Sequence, residues 1–357
     1  MYVDLPSVRQ CIIYCVMLPM SDQKVVNIEI VCKVTQCYAL EFFCSAEILC
    51  LRDGAFRCPL AQQYCGAKES MTQATSQPTV ARPYRSALYI PGAKERALEK
   101  ARGLACDVIL FDLEDAVAPD EKDAARSTLT AAIAAGGYGA RVKIVRVNGF
   151  DTTWGAKDVA AFVGADIDGI LLPKVESAAM VEALAQAIPD VPIWAMMETP
   201  LGLLNAAEIA AHPRMAGLGT NDLAKELNAR FRSDRLPMMG GLHLALLAAK
   251  AHGLIVLDGV YNAFKDDEGL QLECDQGRDM GFDGKTLIHP AQLAIANAAF
   301  APSADEIDLA TRQIEAFEAA MAKGEGVAVV DGKIVENLHI VTARATLEKA
   351  RAITAME

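Results

Sequence analysis

AMMETPLGLLNAAEIAAHPRMAGLGTNDLAKEL, residues 195–227, holds two short apolar runs, and each ends on an acid: Glu198 closes the first and Asp222 the second. A helix-like pattern follows each run, so the stretch reads strand, helix, strand. One acid at the end of a strand is ordinarily a solvated loop residue or a helix N-cap. Two of them, at equivalent places on consecutive units, raise the question of a shared site.

The same texture extends in both directions from that stretch. SALYI (86–90), DVILFDL (107–113), VKIVRV (142–147), GILLPK (169–174), IWAMME (193–198), AGLGTND (216–222), LIVLDGV (254–260) and KTLIHP (285–290) are strand candidates separated by helix-length segments. In the first of those segments Ala93, Ala97, Ala101 and Leu104 fall near one face, while Lys94, Glu95, Glu99 and Lys100 point to solvent or to the strand ends. Near-continuous apolar strands alternating with helices indicate a parallel sheet covered on both faces. Eight repeats point to a closed (β/α)8 TIM barrel rather than an open sheet, and about 250 residues is the usual size of that fold. The barrel is expected over residues 83–300, followed by a helical tail or lid over 301–357.

Residues 1–82 differ in kind and are expected to be a Cys-rich extension and linker with no part in the chemistry. Cys11, Cys15, Cys32, Cys37, Cys44, Cys50, Cys58 and Cys65 all lie there, with only Cys106 and Cys274 beyond. No C-x2-C pair occurs, so the spacing matches no zinc module. The run CIIYCVMLPM (11–20) is about half a membrane span and lacks a cleavage site with small residues, which argues against a membrane anchor and a signal peptide. MTQATSQPTVARP (71–83) is polar and reads as a structureless linker. Two free thiols in the main body suit a reducing, cytoplasmic setting. The net charge of −12 argues against nucleic acid or an anionic membrane as partner. An anionic small molecule would need local basic residues to hold it against that field.

A barrel of this type carries its chemistry where strands run into the following helices. At those points stand Tyr89, then Asp112, Glu114 and Asp115 of FDLEDA, Arg146 of VRVNG, Lys174 of LPKVES, Glu198, Asn221, Asp222, Asp258 and His289. So many carboxylates around one arginine would repel each other unless a cation sat among them. Oxygen donors without a Cys pair select Mg2+, with Mn2+ admissible, over zinc. Glu198 and Asp222 suit the one or two protein carboxylates that Mg2+ takes, and Glu114 and Asp115 could hold its waters. Arg146 offers a planar fork to a substrate carboxylate. Metal plus arginine describes a site for a 2-oxo or 2-hydroxy acid.

Other chemistries lack their residues. GLGTND misses the third glycine and the later acid of a dinucleotide fingerprint. No G-x-S-x-G elbow is present, so hydrolysis here would rely on metal-assisted water or a transient acyl carboxylate rather than a serine triad. His212, His243 and His252 sit in helical or loop contexts and are expected to be structural.

Taken in order from Arg85 to the C-terminus, RSALYIPG, FDLEDAV, VRVNG, LPKVES, METPLGLLNAAEIA, GTNDLAKEL, DGVYNAF and GFDGKTLIHPAQ resemble the citrate lyase β subunit and malyl-CoA lyase family, of HpcH/HpaI aldolase type. GTNDLAKEL, DGVYNAFKDDEGL and VAVVDGKIVENLHIVTAR are most similar to its (3S)-malyl-CoA thioesterases. The resemblance implies Mg2+-dependent hydrolysis of (3S)-malyl-CoA to malate and CoA. Its alternative is carbon–carbon cleavage of malyl-CoA, β-methylmalyl-CoA or citramalyl-CoA, or a role as a citrate lyase β-like subunit. It implies that Glu198 and Asp222 ligate magnesium, that Arg146 meets the substrate carboxylate, that Tyr89, Lys94 and Lys100 contact the CoA thioester, and that Asn221 and Glu198 also bind the substrate. Lys94 stands where some lyases have arginine, which keeps the charge and loses the fork. The catalytic set implied is Arg146, Glu114, Asp115 and Glu336. Glu336, in DGKIVENLH, takes the place of an Asp that many lyases send into a neighbouring subunit's site. A carboxylate displaced by one methylene, helped by His339, could direct water to the thioester instead. A homo-oligomer, trimer or hexamer, follows from that sharing.

Overall fold

A computed structural model describes residues 82–220 and 223–356, together with two short strands, Asn27–Glu29 and Ser45–Glu47, that pair antiparallel. The chain divides into two units, Met1–Pro78 and Thr79–Glu357, a division that falls within the predicted linker.

In the second unit, eight strands close into a barrel: β1 Ser86–Pro91, β2 Val108–Asp112, β3 Val142–Arg146, β4 Gly169–Leu172, β5 Ile193–Met196, β6 Met215–Gly219, β7 Ile255–Asp258 and β8 Gly284–Leu287. Every neighbouring pair is parallel, and β8 returns to β1 with Lys285 opposite Ser86. Each strand lies on one of the predicted apolar runs. The runs lack polar alternation because both faces are covered. Along β2, Ile109 and Phe111 join the layer beneath the helices, while Val108 and Leu110 join the barrel interior.

The interior belongs to Ala87, Val108, Leu110, Val142, Ile144, Leu171, Trp194, Met196 and Leu257. Trp194, near the start of β5, fills the space that glycines on both neighbouring strands leave open. A Cβ on Gly169 of β4 would come within 2.9 Å of the indole, and one on Gly217 of β6 would come closer still. Tyr84 packs on the same ring, with centroids 5.8 Å apart. The barrel interior is thereby plugged near the strand starts.

After the helix Leu293–Phe300 the chain leaves the barrel. Ser303 and Glu306 form a reciprocal cap that starts the helix Ala304–Ala322. A hairpin of Ala328–Val330 and Lys333–Val335 follows, turning on Asp331 and Gly332, both at positive φ as a two-residue hairpin turn requires. Val330, Val335 and Ile340 pack on Ala320 as a small satellite core. The last helix, Asn337–Met356, ends at the strand starts, where Met356 lines a cavity of about 300 Å3 with Arg85, Asp107 and Arg141. Among the described residues no helix is long and apolar enough to cross a membrane. Cys106 and Cys274 are buried free thiols.

Candidate active site

The two-residue step of a strand selects what reaches the barrel mouth. Tyr89 follows inward-facing Ala87, Asp112 follows Leu110, Arg146 follows Ile144, and Glu198 follows Met196. Asp112 lies opposite Arg146 in the register of β2 and β3. The guanidinium is only 4% exposed and commits its fork to that neighbour: Nε donates to Asp112 Oδ1 at 2.7 Å and Nη2 to Oδ2 at 2.6 Å. Its Nη1 lies 3.0 Å from Glu114 Oε2 and 3.2 Å from Asp115 Oδ2. The Tyr89 ring faces the guanidinium at 4.7 Å. The fork expected to await a substrate carboxylate is therefore occupied by Asp112, and Nη1 is the edge that faces the outer acids.

Asp112 also shapes the loop that follows. Its Oδ1 accepts the Glu114 N–H at 2.8 Å and its Oδ2 the Ala116 N–H at 3.0 Å. The turn so made carries Glu114 and Asp115 side by side at Arg146. Burial pushes the Glu114 carboxyl up to about 7, only partly opposed by Arg146 and reinforced by Asp115 and Asp112. Burial acts upward on Asp115 too, but its hydrogen bond with Glu114 and the charge of Arg146 outweigh that and hold it below the usual range. Lys174 adds a second cation facing Asp115. Two neighbouring carboxyls driven apart in this way share one proton, with Glu114 keeping it longer. Arg146 is held well above its ordinary value because the surrounding acids outweigh its burial.

Glu198 is 2% exposed, and its Oε1 accepts the Lys174 N–H at 2.8 Å. Lys174 reaches that position with φ of +48°, an uncommon left-handed backbone for a residue with a Cβ. The Tyr89 hydroxyl is buried and has no hydrogen-bond partner among the described residues. Burial and nearby carboxylates, Glu198 among them, raise its pKa against the pull of Arg146, so it stays a donor. A buried carboxylate, an acid pair short of positive charge and an unpartnered hydroxyl in one mouth fit a hard divalent cation with an oxygen-rich ligand. Among the described residues no three His, Cys, Asp or Glu side chains form a metal cage. Mg2+ does not need one, since it takes one or two carboxylates and completes its octahedron with water and substrate oxygens.

The structure thus brings Tyr89, Glu114, Asp115, Arg146 and Glu198 together. Asn221 and Asp222 lie outside the described residues, between Thr220 at the end of β6 and Leu223. Lys94 and Lys100 are exposed at the two ends of the helix Glu95–Ala101. Glu336 is exposed on the tail, where its N–H meets His339 Nδ1 at 3.2 Å. Two rim candidates have other occupations. His289 stacks on Phe264 and caps the turn Pro290–Gln292. Asp258 has the opposite strand parity and turns outward, where it pairs with Arg235 and Lys285 beneath the helix Asp267–Met280.

Sequence reasoning missed the group that holds the acid loop from behind. Lys122 Nζ donates to Leu113 O, Glu114 O and Asn148 Oδ1 at 2.8, 2.7 and 2.8 Å. Asn148 is itself anchored on Asp158, which Arg126 holds. A lone lysine in the first turn of a helix gives no sequence signal that it will fold back into the core.

A model of the HpcH/HpaI aldolase/citrate lyase family matches residues 85–290. Over 277 residues the chain is 69% identical to a (3S)-malyl-CoA thioesterase of Cereibacter sphaeroides, spanning 77% of this chain and 97% of that one. It is 36% identical to citrate lyase subunit beta of Leuconostoc mesenteroides subsp. cremoris, over 75% of this chain and 93% of that one. Protein CitE of Mycobacterium tuberculosis, solved in complex with magnesium, acetoacetate and coenzyme A, matches with a TM-score of 0.63 at 31% identity, over 74% of this chain and 97% of that chain. The chain belongs to the HpcH/HpaI aldolase/citrate lyase family.

Proposed function

We propose that the protein hydrolyses (3S)-malyl-CoA to malate and CoA with the help of Mg2+. The observation that carries this reading, beside the 69% identity to a thioesterase of that substrate, is the Glu114 carboxyl pushed up to about 7 next to Arg146 and Tyr89. Such a group both takes and returns a proton at neutral pH.

Glu198 and Asp222 would hold the Mg2+, with Mn2+ as a substitute, and the ion supplies Lewis-acid polarisation of substrate oxygens. Arg146 Nη1 meets the malyl carboxylate while Asp112 fixes the guanidinium plane. The Tyr89 hydroxyl donates to the thioester carbonyl oxygen, and Asn221 adds a further substrate contact. Glu114, sharing a proton with Asp115, accepts a proton from the attacking water and delivers it to the departing thiolate. Lys94 and Lys100, outside the mouth, meet the phosphates of CoA. Glu336, with His339, reaches the mouth of a neighbouring copy and orients the water, which makes the working unit a symmetric homo-oligomer, trimer or hexamer. The barrel of residues 83–300 and the tail of 301–357 suffice for this. Residues 1–82 contribute nothing to it, and the setting is the cytoplasm.

The second reading, favoured by the 36% identity to a citrate lyase β subunit, is reversible carbon–carbon cleavage of malyl-CoA or a methylated or citramalyl analogue. Malyl-CoA supplied with and without Mg2+ separates the two by their products. Free CoA and malate support hydrolysis, acetyl-CoA and glyoxylate support the lyase, and no turnover with either sinks both in favour of an accessory subunit.

A further inference from the structure

Lys122 is the first residue of the helix Lys122–Ala135, a place where the helix dipole disfavours a cation, and it is only 6% exposed, which disfavours a cation again. Its three N–H donors are all used, on Leu113 O, Glu114 O and Asn148 Oδ1. Those two carbonyls belong to the peptide groups on either side of the Glu114 Cα. The Glu114 N–H is taken by Asp112 Oδ1. One ammonium and one carboxylate therefore clamp both peptide planes around Glu114 and fix the direction in which its Cα–Cβ bond points.

The clamp is rigid on its far side as well. Asn148 Nδ2 donates to Leu113 O at 2.9 Å and to Asp158 Oδ2 at 2.6 Å, and the fully buried Asp158 accepts from Arg126 Nε at 2.7 Å. The Trp154 ring covers the ammonium at 5.5 Å. Lys122 is thus held between an inner network and the loop.

We propose that Lys122 is a positioning residue for Glu114: it fixes the backbone that aims this carboxyl into the barrel mouth and places a compensating positive charge behind it. The inference rests on the reading of Glu114 as the group that moves the proton. The charge part follows from the groups that face Glu114: Asp112 and Asp115 on its own loop, Arg146 on β3, Tyr89 on β1 and Lys122 on the following helix. With Lys122 neutralised, the acids dominate further and the carboxyl holds its proton to higher pH.

The test compares Lys122→Met, which removes charge and donors, with Lys122→Arg, which keeps the charge and cannot set three donors on one nitrogen. In the full-length protein, Lys122→Met is expected to lose about 10²-fold in kcat with KM for malyl-CoA changed less than about threefold, a loss typical of a misplaced reacting group. Its acidic limb in kcat against pH should move upward by about one unit. Lys122→Arg should lose kcat comparably and keep the wild-type limb. A kcat within twofold of wild type in both variants, with only a lower Tm, overturns the inference and leaves Lys122 a structural residue. Should Lys122→Met fail to fold, the Arg variant decides alone, through a fall in kcat at constant KM or its absence. If Glu114→Gln retains full activity, the underlying reading of Glu114 fails instead.

Discussion

Two ion clusters sit on this barrel, and they differ in closure. On the outer side of β7 and β8, Asp258 accepts from Arg235 Nη1 at 2.7 Å and from Lys285 at 3.1 Å, while Glu273 takes Lys285 at 2.7 Å. Charges balance there: Lys285 stays raised and Asp258 lowered despite complete burial, because each partner's charge outweighs the loss of water. In the mouth, Asp112, Glu114, Asp115 and Glu198 face Arg146 and Lys174 with Lys122 behind the loop, one carboxyl is pushed up to about 7, and among the described residues the Tyr89 hydroxyl has no partner. A cluster that satisfies itself is scaffold. One that keeps a raised carboxyl and an unused donor is prepared for something that arrives later.

Breaking the closed cluster should cost stability and little else. Asp258→Ala leaves Arg235 and Lys285 buried with Glu273 as their remaining carboxylate, an expected loss of about 3–5 kcal/mol in denaturant unfolding. A loss under about 1 kcal/mol would mean that water reaches those cations. Glu198→Gln should do the reverse, with the unfolding midpoint nearly unchanged while kcat/KM falls on the order of 10³-fold and the response to Mg2+ disappears. Activity and metal dependence surviving that change would move the site elsewhere.

The pH dependence sharpens the contrast. Glu114 binds its proton more tightly folded than unfolded, so between its ordinary value near 4.5 and about 7 the native state holds the extra proton and stability falls as pH rises. Above that window the ionised, buried carboxylate is a standing cost. Glu114→Gln should therefore be more stable than wild type at pH 8, by about 1–2 kcal/mol, and equal to it near pH 4. The wild-type rate should lose about tenfold per unit below pH 7 if the ionised form is the one that works. A flat profile from pH 5 to 8 would contradict the assignment. The smallest effect belongs to Tyr89→Phe: about a tenfold lower kcat and, because a buried unpaired hydroxyl is removed, up to about 1 kcal/mol more stability. A drop in stability would show that the hydroxyl has a partner in solution.

The eight strands were readable because burial on both faces makes each run apolar end to end, and the acids at their ends stood out for the same reason. That same uniformity hid orientation. LIVLDGV and DVILFDL carry a similar acid after a similar run, yet Asp258 turns outward and Asp112 inward, since nothing in a two-sided apolar strand marks which parity is interior. The claim of Asp112 on the Arg146 fork depends on the register of β2 against β3, which no single segment contains. Lys122 was invisible for a further reason: its partners are two backbone carbonyls and Asn148, and only the last has a side chain to read. Lys94 and Lys100, expected to meet the CoA thioester, are exposed at the two ends of their helix.

Trp194, seated across Gly169 and Gly217 with Tyr84 behind it, makes the barrel a cup rather than a tube. Traffic has a single doorway. Whatever enters must back out the way it came, and of two products the one lodged deeper waits for the other to leave.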